Sequence, residues 1–364
     1  MAITLLQEPT SPNVKGTRLI YTVSSSNIPQ FQYRYIADLY ESGNVSRLAR
    51  FKYPQNTSGT SNIDLSKPIG DYLNTDFNWK IADSASFDNS VKVFDIEFGE
   101  EYGTSYTSPV TTSVDLVTAS IEVFKGNVYP NESTNGFNWT AQSLLTNSPA
   151  TQSFNPDDYL TVSVYDTDVT VKYFNDGLLG ATKTYEATGE FRAIPISPLN
   201  IGEFSESEAI ALEVTGSSRR YELGTKCNNE KTRFAFTNKF GFWDYYNVYM
   251  PTRRSTKIDR KTYEQEMVNL NDYTATYNVS NRGEVQYYTE YTDDFEITTD
   301  ILDDKESQWL REMFESSEVF IQSGSDFIPI NILNNRESII NNKARNKNFQ
   351  YTITYQFSNL REPR

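Results

Sequence analysis

A chain of 364 residues is long enough for two or three domains, each burying a core of its own. Its formal charge of −15, from 33 basic and 48 acidic residues, argues against a duplex-binding protein and against a surface that seeks anionic lipid. The absence of histidine removes the usual general base near neutral pH and the usual zinc or iron ligand.

Tyr (25) and Phe (22) supply much of the apolar content, and such residues favour pleated, half-buried surfaces, so a mainly β fold is expected. Along the chain, TRLIYTVSS (17–25) reads as a strand. FQYRYIADLY (31–40) follows with period 2, setting Phe31, Tyr33, Tyr35 and Leu39 on one face and Gln32, Arg34 and Asp38 on the other. Glu41 to Asn44 is a turn, and VSRLARFKY (45–53) returns to complete a hairpin. In IDLSKPIGDYL (63–73), Asp64 caps a helix that Pro68 and Gly70 keep short. SVKVFDIEF (90–98) closes an N-terminal β-sandwich over 1–100.

From 101 to 157 the composition predicts long loops or an insertion, apart from TASIEVFKG (118–126). YLTVSVY (159–165), VTVKYF (169–174) and KTYEATGEFRAIPI (183–196) restore strand patterning and make 101–196 a second β-rich region; Asn175-Asp176-Gly177 is a hairpin turn signal. A linker is expected at 197–208 and a C-terminal β module with one helix over 209–364.

That module opens with AIALEVTG (209–216) and RRYELG (219–224). The strongest signal of the whole chain is TRFAFTNKFGFWDYYNVYM (232–250), two aromatic runs on either side of Asn238-Lys239-Phe240-Gly241, residues that tolerate left-handed backbone. YTATYNVS (273–280) and EVQYYTEYTDDFEITTD (284–300) read as a second hairpin. Asp303 and Glu306 make a capping box for a helix over about 303–316, whose apolar stripe is Trp309, Leu310, Met313 and Phe314. VFIQ (319–322), FIPINIL (327–333) and FQYTITYQFSN (349–359) finish the chain; in the last, Phe349, Tyr351, Ile353, Tyr355 and Phe357 alternate.

One cysteine, Cys227, admits no internal disulfide and has no histidine to activate it, and no apolar run near the N-terminus suits a signal or a membrane span. Synthesis in a reducing cytosol and no membrane partner are expected, and the sequons at Asn44, Asn56, Asn131, Asn138 and Asn278 then read as chance. Asp157, Asp158, Asp166, Asp168 and Asp176 resemble an oxygen cluster for Ca²⁺, but without a twelve-residue loop pattern they read as turn residues. Carboxylate pairs for glycoside hydrolysis are easily found among so many acids, yet none lies in an apolar setting that would raise its pKa. No catalytic, metal or cofactor residue is therefore assigned. Arg253, Arg254, Lys257, Arg260 and Lys261 form the one basic cluster, read either as an exposed loop or as a contact with the more acidic first part of a neighbouring copy. Residues 1–212 hold 13 lysines and arginines against 25 acids, and 213–364 hold 20 against 23. Aromatics are not interleaved with these cations as a single-strand nucleic-acid binder needs, so no specific nucleic acid is expected.

The order of NVKGTRLIYTVSSSNIPQFQYRYIADLY, RFKYPQNTSGTSNIDLSKPIGDYL, KCNNEKTRFAFTNKFGFWDYYNV, YYTEYTDDFEITTDILDDKESQWLREMFESSEVFI and NFQYTITYQFSN resembles virion structural proteins of tailed bacteriophages and prophages of Bacteroidota hosts, usually assigned to the tail. The likeness covers most of the chain outside 100–150 and brings no catalytic motif. It implies a non-enzymatic part of the tail tip, baseplate or hub, with sandwich or tail-tube-like modules, assembled as a homo-oligomeric ring that docks other tail proteins in the virion. The alternatives are an adhesin or receptor-binding protein that stacks its aromatics on a host-surface glycan, and a tail-associated glycan hydrolase.

Overall fold

The computed structural model describes residues 3–107, 110–126, 144–198, 209–214, 217–224, 231–266, 268–271, 274–277, 280, 282–334 and 350–358. The fold is mostly β, with several antiparallel sheets and two helices among the described residues, and the β content is as the composition predicts. Two compact units divide it: Met1–Gly224 with Thr237–Asp244, and Thr225–Phe236 with Tyr245–Arg364. No helix among the described residues is long and apolar enough to cross a membrane.

The first unit begins with a sandwich. Strands Ile3–Gln7, Ile20–Ser25 and Thr60–Asp64 form a three-stranded sheet, while Phe31–Glu41, Ala49–Pro54, Val91–Gly103 and Thr111–Phe124, with the short parallel strand Asn13–Val14, form a five-stranded one. Tyr21 and Val23 from the first sheet, with Leu19 just before its middle strand, share one apolar core with Tyr35, Leu39, Phe94, Phe98 and Ile121 from the second. The expected hairpin of 31–41 with 49–54 forms, with Tyr35 opposite Tyr53 and Leu39 opposite Ala49. Two of its residues break the period. Gln32 takes φ 55°, the register shifts between Phe31 and Arg34, and Phe31 turns outward to meet Tyr106, ring centroids 4.8 Å apart. Asp38, expected to face water, is fully buried because Arg50 covers it with two 2.6 Å hydrogen bonds and Arg47 adds a third at 3.3 Å. The short helix is Ser66–Gly70; its N-cap position is Leu65 and not the expected Asp64, which lies one position earlier and accepts at Oδ1 from the Ser66 amide at 3.0 Å.

Within the 101–157 region the strand Thr111–Phe124 is longer than the sequence signal, since its serines and threonines are held by pairing with Val91–Gly103. Residues 127–143 lie outside the described residues. Farther on, Thr151–Phe154, Ser217–Leu223, Ala209–Val214, Val169–Asn175 and Leu178–Tyr185 make a second five-stranded sheet, and Thr161–Tyr165, Phe191–Pro195 and Ala85–Ser86 a three-stranded one. The Asn175-Asp176-Gly177 turn closes the 169–175/178–185 hairpin as expected. Strands 209–214 and 217–223, expected in the C-terminal module, pair instead with 169–175 and 151–154; their alternating Ile210, Leu212 and Tyr221 are buried in this unit. The linker expected at 197–208 falls mostly outside the described residues.

The aromatic hairpin has arms Thr232–Thr237 and Trp243–Val248. Its tip belongs to the first unit, where Phe240 and Phe242 join Val14, Phe87, Phe124, Leu145 and Phe191 in a core. Only Gly241 of the four turn residues has positive φ, at 82°. Asn238 acts through its side chain: Oδ1 accepts from the amides of Phe240 (3.0 Å) and Phe242 (3.2 Å), and Nδ2 donates to the Leu145 carbonyl (2.9 Å).

The second unit is a seven-stranded sheet in the order 243–248, 232–237, 319–323, 326–332, 352–357, 284–298, 253–264. Helix Asp304–Glu315 carries the expected capping box, Asp303 accepting from the Glu306 amide at 2.7 Å and Glu306 accepting from the Asp303 amide at 2.9 Å. Its Trp309, Leu310 and Met313 pack with Phe234, Phe236, Ile321, Ile353 and Tyr355. In the last strand Tyr351, Ile353 and Tyr355 are buried as the alternation requires, Phe357 sits at the rim with 37% exposed, and Phe349 lies outside the described residues. Among the described residues the expected pairing of 273–280 with 284–300 does not form. Strand 284–298 pairs with 253–264, and Thr274–Tyr277 pairs with Val268–Asn271.

Candidate interaction surface

Arg253, Arg254, Lys257, Arg260 and Lys261 lie on one strand, Arg253–Glu264, and not on a loop. The sequence hid this strand because both of its faces are polar; all twelve residues are exposed, so no apolar alternation marks it. What holds it is the acidic strand Glu284–Thr298, with Arg253 opposite Glu296, Lys257 opposite Thr292 and Lys261 opposite Tyr288. On its other side the strand is the outer edge of the sheet, and no strand pairs with it there among the described residues.

Strand 352–357 supports only Phe295–Thr298 of the acidic strand, so the remainder of the pair continues as a two-stranded ribbon. At about 3.4 Å per residue, the stretch from Ser255 to Glu264 spans about 30 Å. A ribbon of two strands is at best marginally stable alone in water. Exposed apolar surface is spread along it: Ile258 is 48% exposed, Tyr263 48% and Tyr287 62%. Tyr287 is the extra residue of a bulge opposite Lys261 and Thr262, and its ring lies 6.0 Å from that of Tyr263.

The cations are partly answered within the ribbon. Arg254 Nη2 lies 2.5 Å from Asp293 Oδ2, and that hydrogen bond raises the guanidinium pKa above its ordinary value. Its guanidinium also sits over Phe295 at 5.9 Å, and the Lys261 ammonium over Tyr288 at 5.1 Å. Lys257 Nζ is 3.4 Å from Asp259 Oδ2. Asp259, however, stands directly opposite Glu290, a like-charge pair across the ribbon.

A second feature lies within the first unit, a cleft of about 520 Å³ with Phe87 and Phe191 in its wall and Glu41, Asp88, Glu122 and Glu190 around it. Lys92 Nζ donates to Glu41 Oε1 at 2.8 Å. Burial, and secondarily the charge of Glu190, push the Glu122 carboxyl above the ordinary carboxylate range. This corrects the expectation that no acid has such a setting; the residues come from well-separated strands, and spacing in the sequence does not bring them together.

The aspartates of 157–176 work as turn residues. Asp158 Oδ2 accepts from the Asn155 amide (2.8 Å), Asp166 Oδ1 from the Gly189 amide (2.7 Å) and Asp168 Oδ1 from the Ala187 amide (2.6 Å), and Asp176 takes φ 49° in its hairpin turn. No group of three or more acids or cysteines is placed to hold a metal ion among the described residues. Cys227 lies outside them. No family model matches the chain, and no curated protein sequence matches it.

Proposed function

We propose that this chain is a non-enzymatic structural component of a bacteriophage tail, at the tip, baseplate or hub, and that it works by self-association and by docking other tail proteins. The observation that supports the reading is the ribbon of 253–264 and 284–294, which carries a strand edge that no strand pairs with among the described residues and is joined to a well-packed sheet. A globular chain acting alone gains nothing from ordering such a ribbon, whereas a neighbouring molecule that covers it stabilises both partners. The resemblance of the aromatic strand segments to tail proteins supplies the biological setting: synthesis in the host cytoplasm and a final place in the virion. Negative-stain electron microscopy of the purified chain tests the reading. Rings or short stacks are expected; a strictly monomeric species at high concentration that binds polysaccharide contradicts it.

The cleft favours a second reading, in which its acids accept hydroxyl hydrogen bonds from a host-surface glycan. A glycan array decides for or against that binding, and reducing-sugar release from a retained glycan is the mark of a hydrolase built on Glu122 and Glu190.

A further inference from the structure

We infer that the open edge of strand Arg253–Glu264 pairs antiparallel with the same strand of a second copy, about a dyad through Ile258. This inference rests on the self-association reading above and names the surface and its register.

An antiparallel pair of identical strands related by a dyad perpendicular to the sheet must set residues of equal parity opposite one another, because directly opposed residues share a face. The dyad therefore passes through a residue, and each choice fixes every pair. With the dyad on Ile258, Lys257 faces Asp259 and Asp259 faces Lys257, Thr256 faces Arg260, Ser255 faces Lys261, Arg254 faces Thr262 and Arg253 faces Tyr263. No like charges stand opposite each other in this register. Moving the dyad to Asp259 sets that acid against itself and Lys257 against Lys261; moving it to Lys257 sets that lysine against itself, Arg253 against Lys261 and Arg254 against Arg260. Like charges directly opposite destabilise a sheet and opposite charges stabilise it, so the sequence of the strand selects the Ile258 register over its nearest neighbours.

Four features of the single chain agree with this choice. Lys257 and Asp259 already share a face, at 3.4 Å, so the second copy completes a square of two lysines and two aspartates. The partner's lysine comes beside Asp259, where the single chain has Glu290 directly opposite. The half-exposed Ile258 meets its own copy at the centre of the contact and is removed from water there. The bulge of the ribbon sits on the other strand, at Tyr287, so the pairing edge is uninterrupted along its twelve residues. Such a contact is isologous and closes on itself. It joins copies two at a time, and closing a ring would call on a different surface.

The experiment uses the full chain with Cys227→Ser as background. Residues directly opposite in an antiparallel pair lie roughly 4.5–5.5 Å apart at Cα, within disulfide reach. Ile258→Cys is expected to give a crosslinked dimer under mild oxidation, and Thr256→Cys, which faces Arg260, is not. By sedimentation velocity, Lys257→Glu is expected to weaken dimerisation roughly tenfold to a hundredfold, and Lys257→Glu with Asp259→Lys to restore it, since the two lost pairs return with exchanged signs. Thermal melts of the exposed-site variants, run at concentrations too low for dimerisation, are expected to match the parent. If the parent self-associates while Ile258→Cys stays uncrosslinked and Lys257→Glu has no effect, the strand pairing is wrong and self-association stands. If the parent is monomeric throughout, both fall.

Discussion

Replacing Gly241 by alanine tests how the aromatic hairpin is seated. A Cβ built at this position would lie 1.0 Å from the Lys125 carbonyl oxygen and 2.2 Å from its carbon, so no side-chain movement relieves the overlap. The residue also has φ 82°, which costs an L-residue about 1–2 kcal/mol. To admit the methyl group the tip must draw back from strand Thr111–Phe124 and its following residues, uncovering Phe240 (0% exposed) or Phe242 (1%). Full burial of one such ring is worth about 1.5–3 kcal/mol, so the total loss is about 3–5 kcal/mol. Gly43→Ala is the control, because Gly43 has φ 81° with nothing within 4 Å of the added Cβ, and it should lose only about 1 kcal/mol. Urea unfolding followed by tryptophan fluorescence reads both, since Trp243 stacks on Phe77 at 4.0 Å and donates to the Asp76 carbonyl at 2.7 Å. Equal losses in the two variants would refute the seating of the tip.

In the second unit, Trp309→Ala removes a ring that is 3% exposed and packed 5.6 Å from Phe236 and 5.8 Å from Tyr246, and should cost about 3–5 kcal/mol in chemical denaturation. Asp303→Ala breaks the capping box and should cost about 1 kcal/mol; a change that leaves the urea midpoint unmoved would show the cap to be immaterial. Burial pushes the Tyr355 hydroxyl from 10.0 up to about 12, so the folded state keeps a proton that the unfolded chain gives up. Its contribution is intact below pH 10 and is lost as pH rises through the folded value, and Tyr355→Phe should flatten that alkaline fall in measured stability. Glu122 has the same sign at acidic pH: its raised carboxyl pKa favours folding below the unfolded value of 4.5, and ionisation on raising the pH removes that benefit. Glu122→Gln should therefore raise the denaturation midpoint at pH 7 relative to the parent, and an equal rise at pH 4 would contradict the assignment.

Where one face of an element is buried, its period was readable from the residues alone. The helix at Asp303 and the alternation of Tyr351, Ile353 and Tyr355 are of this kind, because a buried face forces apolar residues into register with the backbone. Strand 253–264 shows the opposite case. With neither face covered, it carries charge on both, and it is pairing with strand 284–298, twenty or more positions away, that makes it a strand. Asp38 eluded the pattern for another reason: a carboxylate clamped by Arg50 can occupy a buried position that period 2 assigns to water. Asn238 was legible as a turn residue, but its work as a three-way hydrogen-bond staple depends on Leu145, which sequence proximity does not offer. For the candidate surface, the cluster of cations was visible and its conformation was not, while the cleft at Glu122 depends on tertiary pairing from the start.

Sedimentation velocity on the purified chain, run from low to high micromolar concentration, tests the account's core most directly. A boundary that moves to larger species as concentration rises is the predicted result. A single boundary at the monomer mass across the whole range would mean that the exposed ribbon meets no second copy.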